Sequence, residues 1–180
     1  MEFLDSMRAL LRLHAERGQS FPAFLRIESR AVPAPWAALL VHDRSMTATL
    51  AEHYGDDVTV RLLGDDILTP DKALDRVVVL GLENADRPVA LAGLRIHLER
   101  FASELRAAFI EAERPFGGIL RQAGLSFTSE PQYFLSCETN AVLADALGVS
   151  EGAVLYGRFS RLFNQTRDLL AEVVELLTRP

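Results

Sequence analysis

The sequence contains few of the residues that metal, disulfide and Schiff-base proteins require. Its only cysteine, Cys137, cannot form a disulfide within the chain, and no Cys/His cluster has the spacing of a metal site. We expect Cys137 to be a small buried side chain. The only lysine, Lys72, lies in the turn-like segment TPDKALD. Lysine Schiff-base chemistry is therefore excluded unless Lys72 performs it.

Long apolar runs and an excess of positive charge are also absent. No segment approaches the roughly 20 apolar residues that span a membrane. The N-terminal segment MEFLDSMRALLRLHAERG mixes acids with bases and does not resemble a signal peptide. We therefore expect a cytoplasmic protein with no membrane partner. The net charge is −6, with arginines alternating with acids, which argues against a nucleic-acid partner. An anionic ligand would have to meet local arginines.

What is present is enough apolar sequence for one folded domain. The 180 residues are 49% hydrophobic and 24% charged, which suits a single domain over 1–180 with a sizeable core. Near the N-terminus the apolar residues have helical spacing and end at Gly18. We predict a helix over 2–18 that packs onto this domain. The sequence leaves the oligomeric state open.

From about residue 57 onward the pattern is typical of β-strands. Short polar turns such as ENADRP and NQTRD join several of the strand-like segments, which favours antiparallel pairing. Helical segments follow the third and fourth of them. We predict an α+β fold, with a single antiparallel β-sheet of about six strands and helices packed on one face. The predicted strands are DVTVRLL, LDRVVVLGLE, VALAGLRIHL, FTSEPQYFLSCE, AVLYGRFSRLFN and LLAEVVELL.

Four charged or polar residues interrupt these apolar strands. On a strand, Glu172 and Glu175 lie on opposite faces, so one of them points inward if the sheet is covered. That acid is either a paired core residue or a carboxylate held in a pocket for binding or proton exchange. Arg76 opens the strand LDRVVVLG and is either a surface arginine or a bidentate anchor for a carboxylate. For His97, a surface or hydrogen-bonded position is a simpler interpretation than catalysis.

Several stretches resemble bacterial chorismate pyruvate-lyases, the enzymes that convert chorismate to 4-hydroxybenzoate and pyruvate. The tail YGRFSRLFNQTRDLLAEVVELL resembles the C-terminal hairpin of that family. HDRSMTATL and RPFGGILRQAG resemble its two helix starts, LDRVVVL its arginine-bearing strand, and RPVALAG its Pro-x-Leu-Ala-Gly strand. The similarity covers roughly residues 36 to 178 and rests on the order and spacing of these motifs. It implies a chorismate lyase-like fold.

The resemblance also implies a binding site. Arg76 matches the arginine that grips the aromatic carboxylate, and Met46 and Phe116 match residues whose backbone N–H groups assist it. Glu172 matches the acid that contacts the ring hydroxyl. Gly93 matches the glycine that leaves room for the ring. Glu175 would then be solvated or paired.

The implied reaction needs no cofactor and no metal, because chorismate aromatises readily once it loses the ring proton and pyruvate. Arg76 would fix the ring carboxylate, and Arg158 or Arg161 would receive the enolpyruvyl carboxylate. Glu172 would transfer a proton or stabilise charge. The implied partner is a small aromatic or cyclohexadiene carboxylate.

A second interpretation comes from the segment EPQYFLSCETNAVLADALGVSEGAVLYGRF. It resembles the effector-binding domains of GntR-type regulators, which share the lyase fold. Those regulators carry a winged-helix DNA-binding domain in front, whereas only about 35 residues precede the similar region here. The sequence thus allows a cofactor-independent pyruvate-lyase, or a non-catalytic domain or repurposed enzyme of the same fold that binds a small aromatic acid. The lyase interpretation requires Arg76 and Glu172 to converge on one cavity.

Overall fold

The computed structural model describes residues 2–180, with the side chain of Glu2 left out, so Met1 of the predicted domain lies outside the described residues. Its α-helices are α1 (Glu2–Ser6), α2 (Arg8–Glu16), α3 (Ala34–Leu40), α4 (Met46–Tyr54), α5 (Ser103–Glu111), α6 (Phe116–Gln122) and α7 (Ala141–Leu147). Its strands are β1 (Phe24–Ile27), β2 (Val58–Leu62), β3 (Ile67–Leu68), β4 (Ala73–Leu82), β5 (Arg87–His97), β6 (Thr128–Glu138), β7 (Val154–Phe163) and β8 (Leu169–Leu177).

All eight strands belong to one antiparallel sheet. Its order is β1-β6-β7-β8-β5-β4-β2, with the short strand β3 also paired to β4. The polar turns between β4 and β5 and between β7 and β8 form hairpins, as predicted. The α+β class and the antiparallel sheet are confirmed. The predicted strand count missed β1 and β3, which have four and two residues and are too short to show an alternating pattern.

Helices cover both faces of the sheet, so the prediction that they pack on one face is wrong. We call the side covered by α3, α4, α5 and α6 the front face and the side covered by α1, α2 and α7 the back face; each has its own apolar core. Along β4, Val78 and Leu80 point to the front core, whereas Val77 and Val79 point to the back core. A continuous apolar run such as VVVL is typical of a strand buried on both sides.

The predicted N-terminal helix is present as two pieces. Helices α1 and α2 are separated at Met7, and α2 ends at Glu16, shortly before Gly18 adopts a left-handed conformation with φ of 63°. Met7 and Leu10 are fully buried in the back core. The pair therefore packs onto the back face of the sheet. In the described part of the chain, no helix is long and apolar enough to cross a membrane.

Candidate ligand cavity

A cavity lies on the front face, between strands β4, β5 and β8 and the first turns of α4 and α6. Its volume is about 60 Å³, room for about four water molecules or a compact ligand. Most of its walls are apolar. The polar side chains on its lining are Ser45, Thr47, Arg76, Arg114, Ser129 and Glu175.

Two helices begin at this cavity. Met46 is the first residue of α4 and Phe116 the first of α6, and both line the cavity. The side chain of Ser45, at the N-cap of α4, caps no backbone N–H of its helix. The first N–H groups of a helix have no acceptor within it and carry partial positive charge. The start of α4 therefore gives this wall donors for an anion.

Arg76 lies on the front side of β4 and lines the cavity, but its guanidinium is already occupied. Nε donates to Oδ1 of Asp66 at 3.1 Å, and Nη2 donates to Oδ2 of Asp66 at 2.5 Å. Nη1 donates to the carbonyl of Phe109, and Nη2 also lies 3.4 Å from the carbonyl of Ile110. The positive charge of Arg76 is thus neutralised by a carboxylate of the same chain.

The acid that lines the cavity is Glu175, and its partner is Arg158. Nε of Arg158 donates to Oε2 of Glu175 at 2.7 Å across neighbouring strands. Arg158 is completely buried and does not itself line the cavity. Its other nitrogens donate to the carbonyls of Leu40, His42 and Arg44 at 2.7–3.2 Å. The proposed role of Arg158 as an open ligand-binding arginine is therefore wrong, because the protein itself uses its donors.

Arg158 also holds the loop between α3 and α4, which leads into the cavity wall. His42 in this loop donates from Nε2 to the carbonyl of Leu39 at 2.7 Å, and its Nδ1 accepts from the N–H of Arg44 at 3.1 Å. Burial lowers the pKa of His42, and the nearby charge of Arg158 lowers it further. A neutral His42 suits both hydrogen bonds. The loop is therefore held rigidly where it enters α4.

Glu172 does not reach the cavity, so the expectation that it shares a site with Arg76 is wrong. Along β8, Val173 and Glu175 face the front, whereas Glu172, Val174 and Leu176 face the back. Strand alternation is the cause, since residues three apart on a strand point to opposite faces.

On the back face Glu172 belongs to a row of alternating charges that crosses four neighbouring strands. The register places it beside Arg95 of β5 on one side and Arg161 of β7 on the other, and Arg95 is opposite Asp75 of β4. Nε2 of His97 lies 3.3 Å from Oε2 of Glu172. Arg161 therefore lies on the back face with Glu172 and does not reach the ligand cavity, contrary to the prediction.

Gly93 also faces the back and leaves no room for a ligand ring. A Cβ atom at this position would lie 2.7 Å from Sδ of Met7 and 2.8 Å from the carbonyl oxygen of Ser6. The glycine is needed because the N-terminal helices approach β5 closely there. Its predicted place in the binding site is wrong.

Arg114 is a cavity residue that sequence reasoning did not identify. It directly precedes Pro115 in RPFGG, and its side chain is exposed on the lining of the cavity. Nη1 of Arg114 donates to the side-chain oxygen of Gln122, and no carboxylate among the described side chains is within ion-pair distance of it. Because Arg76 and Glu175 each have a partner, Arg114 leaves the surroundings of the cavity with a net positive charge. Arg114 could have been found from the sequence, because it directly precedes the helix start that resembles the lyase family.

Among the described side chains, no group of three or more His, Cys, Asp or Glu residues is suited to hold a metal ion. The site therefore consists of an apolar cavity, two helix starts and a few charged side chains. Such a site can hold a small molecule and orient its polar groups.

No protein-family model and no curated protein matches this chain. Solved structures do. PhnF from Mycobacterium smegmatis superimposes with a TM-score of 0.59 at 18% identity, covering 74% of this chain and 63% of PhnF. The separate structure of the PhnF effector domain gives 0.57 at 16% identity, covering 74% of this chain and 87% of the domain.

A third structure is the ligand-binding domain of a protein assigned to the GntR family of transcriptional regulators, from Bordetella bronchiseptica. It has a TM-score of 0.51 at 14% identity, covering 68% of this chain and 84% of that one. At these identities the likeness concerns the fold alone. The fold of this chain is that of the effector domains of GntR-type regulators, which confirms this part of the sequence prediction.

Proposed function

We propose that this chain is a non-catalytic domain that binds a small organic acid in the front-face cavity. The observation that carries the proposal is the cavity itself, a compact apolar space with polar groups at a few defined places. The apolar walls suit the body of a small ring or branched chain. Pockets of this composition bind ligands through apolar contacts and use their few polar groups to fix orientation.

The charges support an acid as the ligand. Arg114 supplies an unpaired positive charge at the lining, and the start of α4 supplies backbone donors. Glu175 provides an acceptor for a hydroxyl or amine on the same ligand. The ligand class is therefore a small acid that also carries a hydrogen-bond donor, and 4-hydroxybenzoate is a suitable probe.

Two further points favour binding over catalysis. Arg76 and Glu175, the charged groups on the sheet side of the cavity, are each held in an ion pair with another residue of this chain. A carboxylate in such a pair accepts a hydrogen bond without changing its own charge. The structural neighbours are described as effector and ligand-binding domains.

The proposal is tested by isothermal titration calorimetry with 4-hydroxybenzoate on two matched variants. Glu175→Gln removes a charged acceptor from the cavity, so the ligand affinity should fall by about 10-fold or more, as expected for the loss of a hydrogen bond to a charged group. Glu172→Gln should leave the affinity unchanged because Glu172 faces the back of the sheet. Glutamine keeps an oxygen that can accept from Arg158, and circular dichroism checks that both variants fold. Equal losses of affinity would contradict the assignment of the cavity.

A second prediction concerns the rim of the cavity. Arg114→Gln should weaken binding of the acid by about 3-fold, because an exposed ion pair contributes on the order of 0.2–1 kcal/mol. The loss should shrink at high salt, where exposed charges are screened. Arg121→Gln, an exposed arginine of the same helix region, is the control and should bind like the unmodified protein. An affinity for Arg114→Gln that matches the control would exclude Arg114 from the site.

The second candidate function is the pyruvate-lyase reaction. One observation favours it: Arg76, Met46 and Phe116 all line the cavity together with an acid, although that acid is Glu175 and not Glu172. Purified protein is incubated with chorismate, and pyruvate is followed by a coupled assay. A binding domain should form no pyruvate above the protein-free rate. Pyruvate formation that is lost in Glu175→Gln would establish the lyase instead.

A further inference from the structure

The contact between Arg76 and Asp66 bears on how an acid could bind in the cavity. Both oxygens of Asp66 accept hydrogen bonds from the Nε and Nη2 edge of Arg76. This is one of the edges from which arginine binds a carboxylate in a bidentate manner. Asp66, which is not itself part of the cavity lining, therefore occupies an edge of this guanidinium that a ligand carboxylate could take.

Few donors of Arg76 remain. An arginine has five N–H donors, and four hydrogen bonds from Arg76 to Asp66, Phe109 and Ile110 are present. One N–H of Nη1 is left for a ligand. A ligand carboxylate can therefore receive a single hydrogen bond from Arg76 at most, unless Asp66 leaves.

Asp66 is placed where it can leave. It precedes β3, a two-residue strand beside the edge of the sheet, and its side chain is 26% exposed, whereas that of Arg76 is 5% exposed. Gly64 and Asp65 before it are exposed, and Gly64 has a φ of 77°. The segment is anchored just ahead of them by the buried Leu63, whose N–H donates to the carbonyl of Val77 at 2.9 Å. Residues 64–66 therefore lie on the solvent side of the contact with Arg76, between the buried Leu63 and strand β3.

We propose that Asp66 competes with a ligand carboxylate for Arg76 and thereby sets the selectivity of the cavity between acids and neutral molecules. This inference rests on the proposed binding function. An acid whose carboxylate displaces Asp66 gains the bidentate contact with Arg76 and releases residues 64–66 from their contact with this arginine. A neutral molecule of the same shape cannot displace Asp66. Binding of an acid is thereby linked to a change at the β2 and β3 edge of the sheet, whereas binding of a neutral analogue is not.

The test compares two probes, 4-hydroxybenzoate and its neutral amide, 4-hydroxybenzamide, on three forms of the protein by calorimetry. Asp66→Asn keeps an acceptor oxygen but removes the competing charge, so it should bind the acid about 10-fold more tightly and the amide as before. Asp65→Asn, one residue earlier and exposed, is the control and should bind both probes like the unmodified protein. Equal or weaker binding of the acid by Asp66→Asn overturns the inference.

Hydrogen exchange supplies a readout that a purely structural role for Asp66 would not produce. In the unmodified protein, the acid should speed exchange of the backbone amides of residues 64–68, and the amide probe should not. Slower exchange of these residues with the acid also overturns the inference.

The outcomes separate this inference from the proposed function. If the unmodified protein binds the acid and Asp66→Asn binds it no more tightly, the proposed binding function stands and the inference about Asp66 is wrong. If only Asp66→Asn binds the acid, Asp66 prevents binding in the unmodified protein, which supports the inference. If none of the three forms binds the acid, the proposed function fails and the inference fails with it.

Discussion

Replacing Arg158 with methionine should lower the free energy of unfolding by about 3–5 kcal/mol, the usual effect of removing one partner from a buried ion pair. Arg158 is fully buried, donates to Glu175 and also holds the carbonyls of the loop before α4. Methionine retains the length of the side chain, so the main loss is electrostatic and in hydrogen bonds. Urea denaturation followed by circular dichroism measures the change.

Two comparisons make this prediction specific. Arg167→Met removes an exposed arginine paired with Glu130 in the turn before β8, and it should change the free energy of unfolding by about 1 kcal/mol or less. In the double variant Arg158→Met/Glu175→Met, no buried charge is left without a partner, so it should be more stable than Arg158→Met alone. If Arg158→Met unfolds like Arg167→Met, the buried pair does not stabilise the loop as described.

The stability of the protein should also depend on pH through Asp75, a carboxyl group with no solvent exposure in the back face of the sheet. Nη1 of Arg95 lies 3.0 and 3.1 Å from its two oxygens, and Nη1 of Arg8 lies 3.4 Å away. Burial raises the pKa of Asp75 from 3.8 to about 6, against the opposing effect of Arg95 and Arg8. The folded protein therefore binds this proton more tightly than the unfolded chain does.

The sign follows from that difference. Between pH 4 and 6 the folded state holds more protons at Asp75 than the unfolded state, so its contribution to stability is largest at the acid end. That contribution should fall by about 3 kcal/mol as the pH rises through this range. Asp75→Asn, which resembles the protonated acid, should lack it. Urea curves of both proteins between pH 4 and 7 isolate the contribution as their difference, and a difference that grows in favour of the native acid with rising pH would contradict the prediction.

Much of the fold could be predicted from local sequence. The polar turns at ENADRP and NQTRD and the alternating segments predicted six strands and their antiparallel pairing, which the structure confirms. The two missed strands, β1 and β3, are too short for a periodic signal. The second layer of helices was missed, although the VVVL run in β4 shows the continuous apolar pattern of a strand covered on both sides.

The candidate site was predicted only in part, because the sequence shows that two residues lie on opposite faces of a strand but not which face holds the cavity. Glu172 and Glu175 illustrate this. Their alternation was correctly recognised, yet the resemblance assigned the cavity to Glu172. In the structure, Glu175 lines the cavity, and Val173 on the same face of β8 packs into the front core.

The partners of the charged residues depend on contacts between segments that are far apart in the chain. Arg76 and Asp66 are 10 residues apart, Arg158 and Glu175 are 17 apart, and Arg158 and His42 are 116 apart. Nothing in the local pattern around Arg158 distinguishes an arginine open to a ligand from one whose donors are already used.

The sequence by itself determined that six segments form strands, that they pair antiparallel, and that an arginine and an acid are embedded among apolar residues. These properties depend on the period of the side chains and on the length of the turns, which are local. Only the tertiary structure decided that Glu175, Arg114 and the starts of α4 and α6 share a cavity. It also decided that the N-terminal helices pack closely against Gly93 and that Arg76 is already hydrogen-bonded to Asp66. Those outcomes depend on strand register and helix docking, in which one residue of shift moves a side chain to the opposite face of the sheet.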